Sequence, residues 1–169
     1  MYYINSVIFY SILGFILEST IYKINKSKRH SGILYGPATY VYGFGILNLT
    51  LLKKYFLDRL KVRGILKVLI TFLTSWIVLT FIEWLGGNIL YQVFEIDMWN
   101  YSKKAFHCGK YICLELSLIW GVLGTLYVYY VKDFFDKFLA LIPKKLTYTL
   151  LILEFIDVCL VFIHKFPKW

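Results

Sequence analysis

Five carboxylates stand inside long apolar runs of this chain: Glu18, Glu83, Glu115, Glu154 and Asp157. A charge at bilayer depth costs roughly 2.5–3.5 kcal/mol on insertion scales. Each such group must therefore face the protein interior, or reach water at the interface. Three chemistries are open to them. They can line a cation or proton path, act as acid and base on a lipid-linked substrate, or serve structurally, accepting from Tyr hydroxyls, Trp indoles or backbone. Helical spacing groups them further. Ser11, Gly14, Glu18 and Tyr22 share one helix face, as do Trp76, Thr80, Glu83 and Gly87. Glu154 and Asp157, three apart, are helix neighbours. Ser117, Gly121 and Gly124 form a small-residue stripe suited to close helix contact. Glu115 lies on the opposite side of that helix and is placed to snorkel to the interface.

Two non-helical stretches adjoin these faces. Gly32-Ile-Leu-Tyr-Gly-Pro37 precedes Tyr42, and Trp99-Asn-Tyr-Ser102 lies in a polar segment at 91–111. Tyr35, Gly36, Tyr42, Trp99, Asn100, Tyr101 and Ser102 are candidates to join Glu18, Glu83, Glu154 and Asp157 in a substrate or ion pathway. The alternative for the tyrosines is an aromatic belt at the headgroups. Gly36, Gly43 and Gly45 permit close backbone approach. No metal site is expected. His30, His107 and His164 are scattered, and Cys108, Cys113 and Cys159 form no CxxC pair. No cofactor motif stands out, and no nucleophile–base pattern favours an enzyme.

The elements that must position these groups are membrane helices. The 169-residue chain is 59% hydrophobic and only 17% charged, against about 25% charged in soluble domains. Its 15 Tyr and 5 Trp suit membrane interfaces. Its net charge of +9 sits almost wholly between the apolar runs, which suits anionic headgroups better than nucleic acid. Runs near 20 residues, without alternation, predict an all-α polytopic transmembrane bundle rather than a barrel. About five spans are expected, at 2–22, 38–52, 68–90, 112–131 and 148–163, in one transmembrane domain. The first lacks a basic leader and a cleavage motif, so it is expected to be retained. Basic stretches separate the spans: Lys23, Lys26, Lys28 and Arg29, then 53–67, then a connector at 132–147. The connector at 53–67 has an amphipathic component suited to the interface. Five spans divide the Lys and Arg almost evenly between the two sides, so the N-terminus is not oriented by them. A re-entrant segment at 33–52 gives a stronger bias and is the rival topology. Five spans, however, bring all five carboxylates toward one half of the membrane, and that convergence favours them.

Taken together, Tyr10-Ser-Ile-Leu-Gly14 with Glu18, Gly32-Ile-Leu-Tyr-Gly-Pro37 with Tyr42-Gly-Phe-Gly45, Glu83, Trp99-Asn-Tyr-Ser102, Gly109 with Ile112-Cys-Leu114, and Trp120-Gly121 resemble the CmpB-type ABC-transporter type IV permease family of bacteria. The resemblance covers roughly residues 7–125. Asn100 departs from the Asp usual in the family, and Tyr40 from a Pro; the first argues against acid–base chemistry in that loop. The resemblance implies a multi-pass protein of the bacterial cell membrane. The chain has no GxxxxGK[ST] phosphate loop, so ATP-driven work requires a separate ATPase partner. Three functions follow in order. The first is a permease-like transport component with a carboxylate-lined site. The second is a membrane-embedded enzyme on lipid-linked substrates. The third is a non-catalytic subunit that joins a larger membrane partner through the Ser117, Gly121 and Gly124 face. A homo-oligomer is left open.

Overall fold

The computed structural model describes residues 1–26 and 30–165; Lys28 and Arg29 of the first basic stretch lie outside the described residues. The fold is all-α. In chain order it comprises α1 (Tyr2–Ile24), α2 (Tyr40–Tyr55), a 3-10 turn (Leu57–Arg59), α3 (Gly64–Phe94), a two-residue hairpin of β1 (His107–Cys108) and β2 (Ile112–Cys113), α4 (Leu114–Leu126), a π-helical turn (Tyr127–Val131), α5 (Lys132–Leu141) and α6 (Lys144–Lys165).

Four helices are long and apolar enough to cross a membrane: Tyr2–Ile24, Gly64–Phe94, Leu114–Leu141 and Lys144–Lys165. At 16 residues, α2 rises only about 24 Å, short of a hydrocarbon core near 30 Å. Helix boundaries have local causes. Lys26, at φ 49°, and Glu95, at φ 55°, take the left-handed conformation that stops α1 and α3. Pro143 cannot continue a helix and separates α5 from α6.

The segment expected as a connector at 132–147 is largely helical. In α5, Lys132, Asp133, Asp136 and Lys137 fall on one side of the helix and Phe134, Phe135, Phe138 and Leu141 on the other. Lys132 pairs with Asp136 one turn on, an i,i+4 contact that favours helix where charge alone reads as a loop.

The described residues form two compact units, one of residues 1–26 and 30–44 with 139–165 and the other of residues 45–138. In the first unit, α1 and α6 run in the same direction. At one end Thr147 Oγ1 donates to Asn5 Oδ1 at 2.6 Å, and Asn5 Nδ2 donates to the Leu139 carbonyl at 3.3 Å. Gly14 lies under the Tyr42 ring: a Cβ there would approach Tyr42 Cβ to 2.6 Å. At Gly43 it would meet the Val7 carbonyl oxygen at 2.5 Å. In the second unit, α3 and α4 are antiparallel and form the most extensive helix contact. Gly121 and Gly124 admit Phe72, Ser75 and Trp76 there. Thr50 and Tyr127 share a buried hydrogen bond at 2.7 Å beside them, at the π-helical turn.

Candidate functional site

In the first unit, three carboxylates hold a non-helical strap, residues 31–39, between α1 and α2. Glu18 accepts from Tyr22 Oη at 2.6 Å and from Ser31 Oγ at 2.7 Å. Ser31 in turn shares a hydrogen bond with Thr39 Oγ1 at 2.9 Å. Across the strap, Asp157 accepts two consecutive backbone N–H groups, Tyr35 at 3.0 Å and Gly36 at 2.6 Å. One turn earlier on α6, Glu154 accepts from Tyr40 Oη at 2.6 Å. Lys165 Nζ donates to the Ile33 carbonyl at 2.6 Å and sits 4.5 Å from the Tyr35 ring centroid. The Thr39 N–H reaches the Ser11 carbonyl at 3.0 Å. Irregular backbone in a membrane protein survives only when its polar groups are satisfied by protein or water; Asp157 does that for the Tyr35 and Gly36 N–H groups, while Glu18 and Glu154 hold side-chain hydroxyls at the two ends of the strap.

Gly36 is the tight point of the strap. A Cβ at this position would sit 2.8 Å from Asp157 Oδ2, so a side chain here would make the carboxylate shift from the two N–H groups it accepts. Gly36→Ala is expected to cost about 1–3 kcal/mol and to speed amide exchange through residues 31–39. Exchange at the wild-type rate in the variant would show that the strap does not depend on this contact.

The second unit builds its own cluster. Glu83, only 6% exposed, accepts from Tyr101 Oη at 3.0 Å and from Trp120 Nε1 at 2.9 Å. One turn on, Gly87 leaves room for the Tyr111 ring, whose Cγ a Cβ would approach to 2.6 Å. Tyr111 Oη donates to Asp97 at 2.6 Å. Burial, then the Asp97 acceptor, push this loop phenol up to about 12. Trp99 stands edge-on to Tyr111, with centroids 6.3 Å apart. Its buried indole N–H has no partner among the described residues.

The other sequence candidates have local roles. Asn100 Oδ1 accepts the Ser102 N–H at 2.9 Å, closing an Asx turn on the exposed surface. Tyr42 packs on Gly14. Glu115 is exposed and accepts from Lys104 Nζ at 3.0 Å. This hydrogen bond, with the attraction of the charges, holds Lys104 above the ordinary lysine value. Ser117, Gly121 and Gly124 are buried, and α3 of the same chain packs on the two glycines.

The donors Ser31, Tyr40 and Trp120 and the acceptor Asp97 escape sequence reasoning. Ser31, Tyr40 and Trp120 each lie in a different segment from the carboxylate they serve, Asp97 and Tyr111 lie 14 residues apart in one loop, and nothing in spacing couples any of these pairs. Among the described residues, every hydrogen bond found to Glu18, Glu83, Glu154 and Asp157 comes from a neutral O–H or N–H. No three His, Cys, Asp or Glu side chains among them stand close enough to share a metal ion.

No curated protein and no solved structure matches the chain. A family profile matches residues 6–165, nearly the whole length, and agrees with the membrane character of four long apolar helices. This is a membrane protein, and it belongs to the family described as Putative ABC-transporter type IV.

Proposed function

We propose that the chain is the membrane-embedded, permease-like component of a bacterial ABC-type transport system, multi-pass in the cell membrane, whose intramembrane carboxylates serve a cation or proton path. The observation that carries this reading is the neutral donor set. A carboxylate held only by O–H and N–H groups keeps its own negative charge when ionised. In hydrocarbon that charge calls for a mobile counter-ion. The same neutral donors also serve a carboxylate kept for architecture, and the Glu→Gln uptake comparison separates the two roles. Each unit contributes one such cluster: Glu18, Glu154 and Asp157 with Tyr35 and Gly36 in the first, Glu83 with Tyr101 in the second. The energy for directed transport comes from a separate ATPase subunit, because the chain carries no phosphate loop.

Uptake by cells or proteoliposomes holding the complete transporter tests this. Glu18→Gln and Glu83→Gln keep an acceptor oxygen and are expected to fold while uptake falls at least tenfold. Uptake and folding both unchanged would remove the basis of the proposal.

The parallel course of α1 and α6 supports five crossings, with α2 as the short second one. If α2 only re-entered, α6 would be the fourth crossing and would oppose α1. Single cysteines at Lys26 and Lys103 are then expected to label from one side of the membrane, and those at Lys61 and Lys137 from the other. Labelling of Lys26 and Lys61 from a shared side would establish re-entry.

A further inference from the structure

A groove of about 480 Å³ opens on the outside of the second unit. Trp76, Thr80 and Trp84 of α3, Leu114 and Ser117 of α4, and Phe106 of the preceding loop contribute to its wall, and no charged side chain lines it. Two hydroxyls in that wall, Thr80 Oγ1 and Ser117 Oγ, are buried without a hydrogen-bond partner among the described residues; Ser117 is 2% exposed. A buried hydroxyl with no acceptor is costly, so whatever fills the groove should bring one. A transmembrane helix offers only carbonyls already engaged once by its own backbone, although each can take a second donor, as Ile46 and Ile70 do from Thr50 and Thr74. The ester carbonyls of a lipid are unspent. Ser117 lies three residues into α4, about 5 Å of helical rise from its start, a depth suited to the ester region below a headgroup.

The loop above the groove has the complementary charge. Residues 101–113 hold Lys103, Lys104, His107 and Lys110 and no acidic residue. Lys104 also pairs with Glu115, and Lys110 with Asp97 at 3.5 Å, whereas Lys103 has no acidic partner among the described residues. Phe106 is 80% exposed at the groove rim, with φ 54°. A bulky side chain rarely adopts that conformation, and here it presents the ring at the groove.

We infer that this groove seats an acyl chain of an anionic glycerophospholipid, with its ester carbonyls accepting from Ser117 and Thr80 and its phosphate held by the lysines of the 103–110 loop. The inference rests on the chain lying in a membrane and not on its transporting anything.

The test uses the full chain in phosphatidylcholine nanodiscs doped with phosphatidylglycerol brominated on its acyl chains. Bromine quenches nearby tryptophan, and Trp76 and Trp84 line the groove. Brominated phosphatidylglycerol is expected to quench several-fold more than brominated phosphatidylcholine at equal mole fraction. Thr80→Val with Ser117→Ala should weaken its apparent binding roughly fivefold, as loss of one or two hydrogen bonds does. Lys103→Ala, on an exposed side chain remote from packing, should narrow the preference between the two lipids. Equal quenching by both lipids in the wild type would overturn the inference. So would quenching indifferent to the hydroxyl substitutions, or shielding of both tryptophans by a second copy of the chain.

Discussion

Glu83→Ala destabilises the second unit by about 2–4 kcal/mol, while Glu83→Gln is close to neutral. The alanine variant removes the Glu83 carboxylate from two part-buried donors, Tyr101 Oη and Trp120 Nε1. Each unsatisfied donor costs about 1–3 kcal/mol, and relief from burying the carboxylate returns part of that. Glutamine differs because its two neighbours differ. Trp120 can only donate, so it takes the amide oxygen. The Tyr101 hydroxyl can rotate and accept from the amide NH₂. Both donors are thus served without the charge. Unfolding of the purified protein in mixed micelles, followed by tryptophan fluorescence, separates the two variants. If the alanine variant matched wild type, Glu83 would not be the anchor of the 95–111 loop. The same pair separates structure from transport, since the glutamine variant folds but carries no ionisable group at this position.

What could be foreseen follows the range of each interaction. Contacts within one helix are legible: Glu18 and Tyr22 are four apart and meet at 2.6 Å, as i,i+4 geometry requires. The small-residue spacing of Ser117, Gly121 and Gly124 marks a face that packs, although not the partner, which is α3 of the same chain. Helix ends are less legible. The first apolar run is helical to Ile24, but α3 extends from Gly64 to Phe94, past both expected limits. Lys67, Tyr91 and Gln92 look like loop residues, yet a helix can project polar side chains beyond the hydrocarbon. In α5, charge masks a helix whose residues segregate cleanly. The strap contacts were beyond reach. Asp157 binds backbone N–H groups 121 and 122 residues away, and a backbone donor leaves no trace in residue type. Only Gly36 hints at it, through the absence of a side chain.

Gly124→Ala is expected to cost about 1–3 kcal/mol, and Gly121→Ala less, though Gly121 precedes it by only one helical turn. The reason is which atom each new methyl would meet. At Gly124 the nearest atom is Ser75 Cβ, at 2.6 Å. A Cβ is fixed to the backbone of α3, so no rotamer change relieves the contact and the helices must part. At Gly121 the nearest atom is Phe72 Cε2, at 2.7 Å, with Trp76 Cβ behind it at 3.0 Å. The Phe72 ring edge can swing aside, leaving a smaller residual strain. Without water to drive helices together, membrane association depends on this close approach, so lost contact is not recovered by hydrophobic burial. Gly124→Leu should therefore separate α3 from α4 altogether and carry the Glu83–Trp120 bond with it, since Trp120 lies one turn away. Val122→Leu, on the exposed side of the same helix, should change stability by less than about 0.5 kcal/mol. The order of the four stabilities is the measurement, with Gly124→Leu lowest, then Gly124→Ala, Gly121→Ala and Val122→Leu. Equal losses at Gly121 and Gly124 would mean that the ring of Phe72 is as immobile as the backbone opposite it, and that the α3–α4 contact is set by side-chain packing instead of by helix approach.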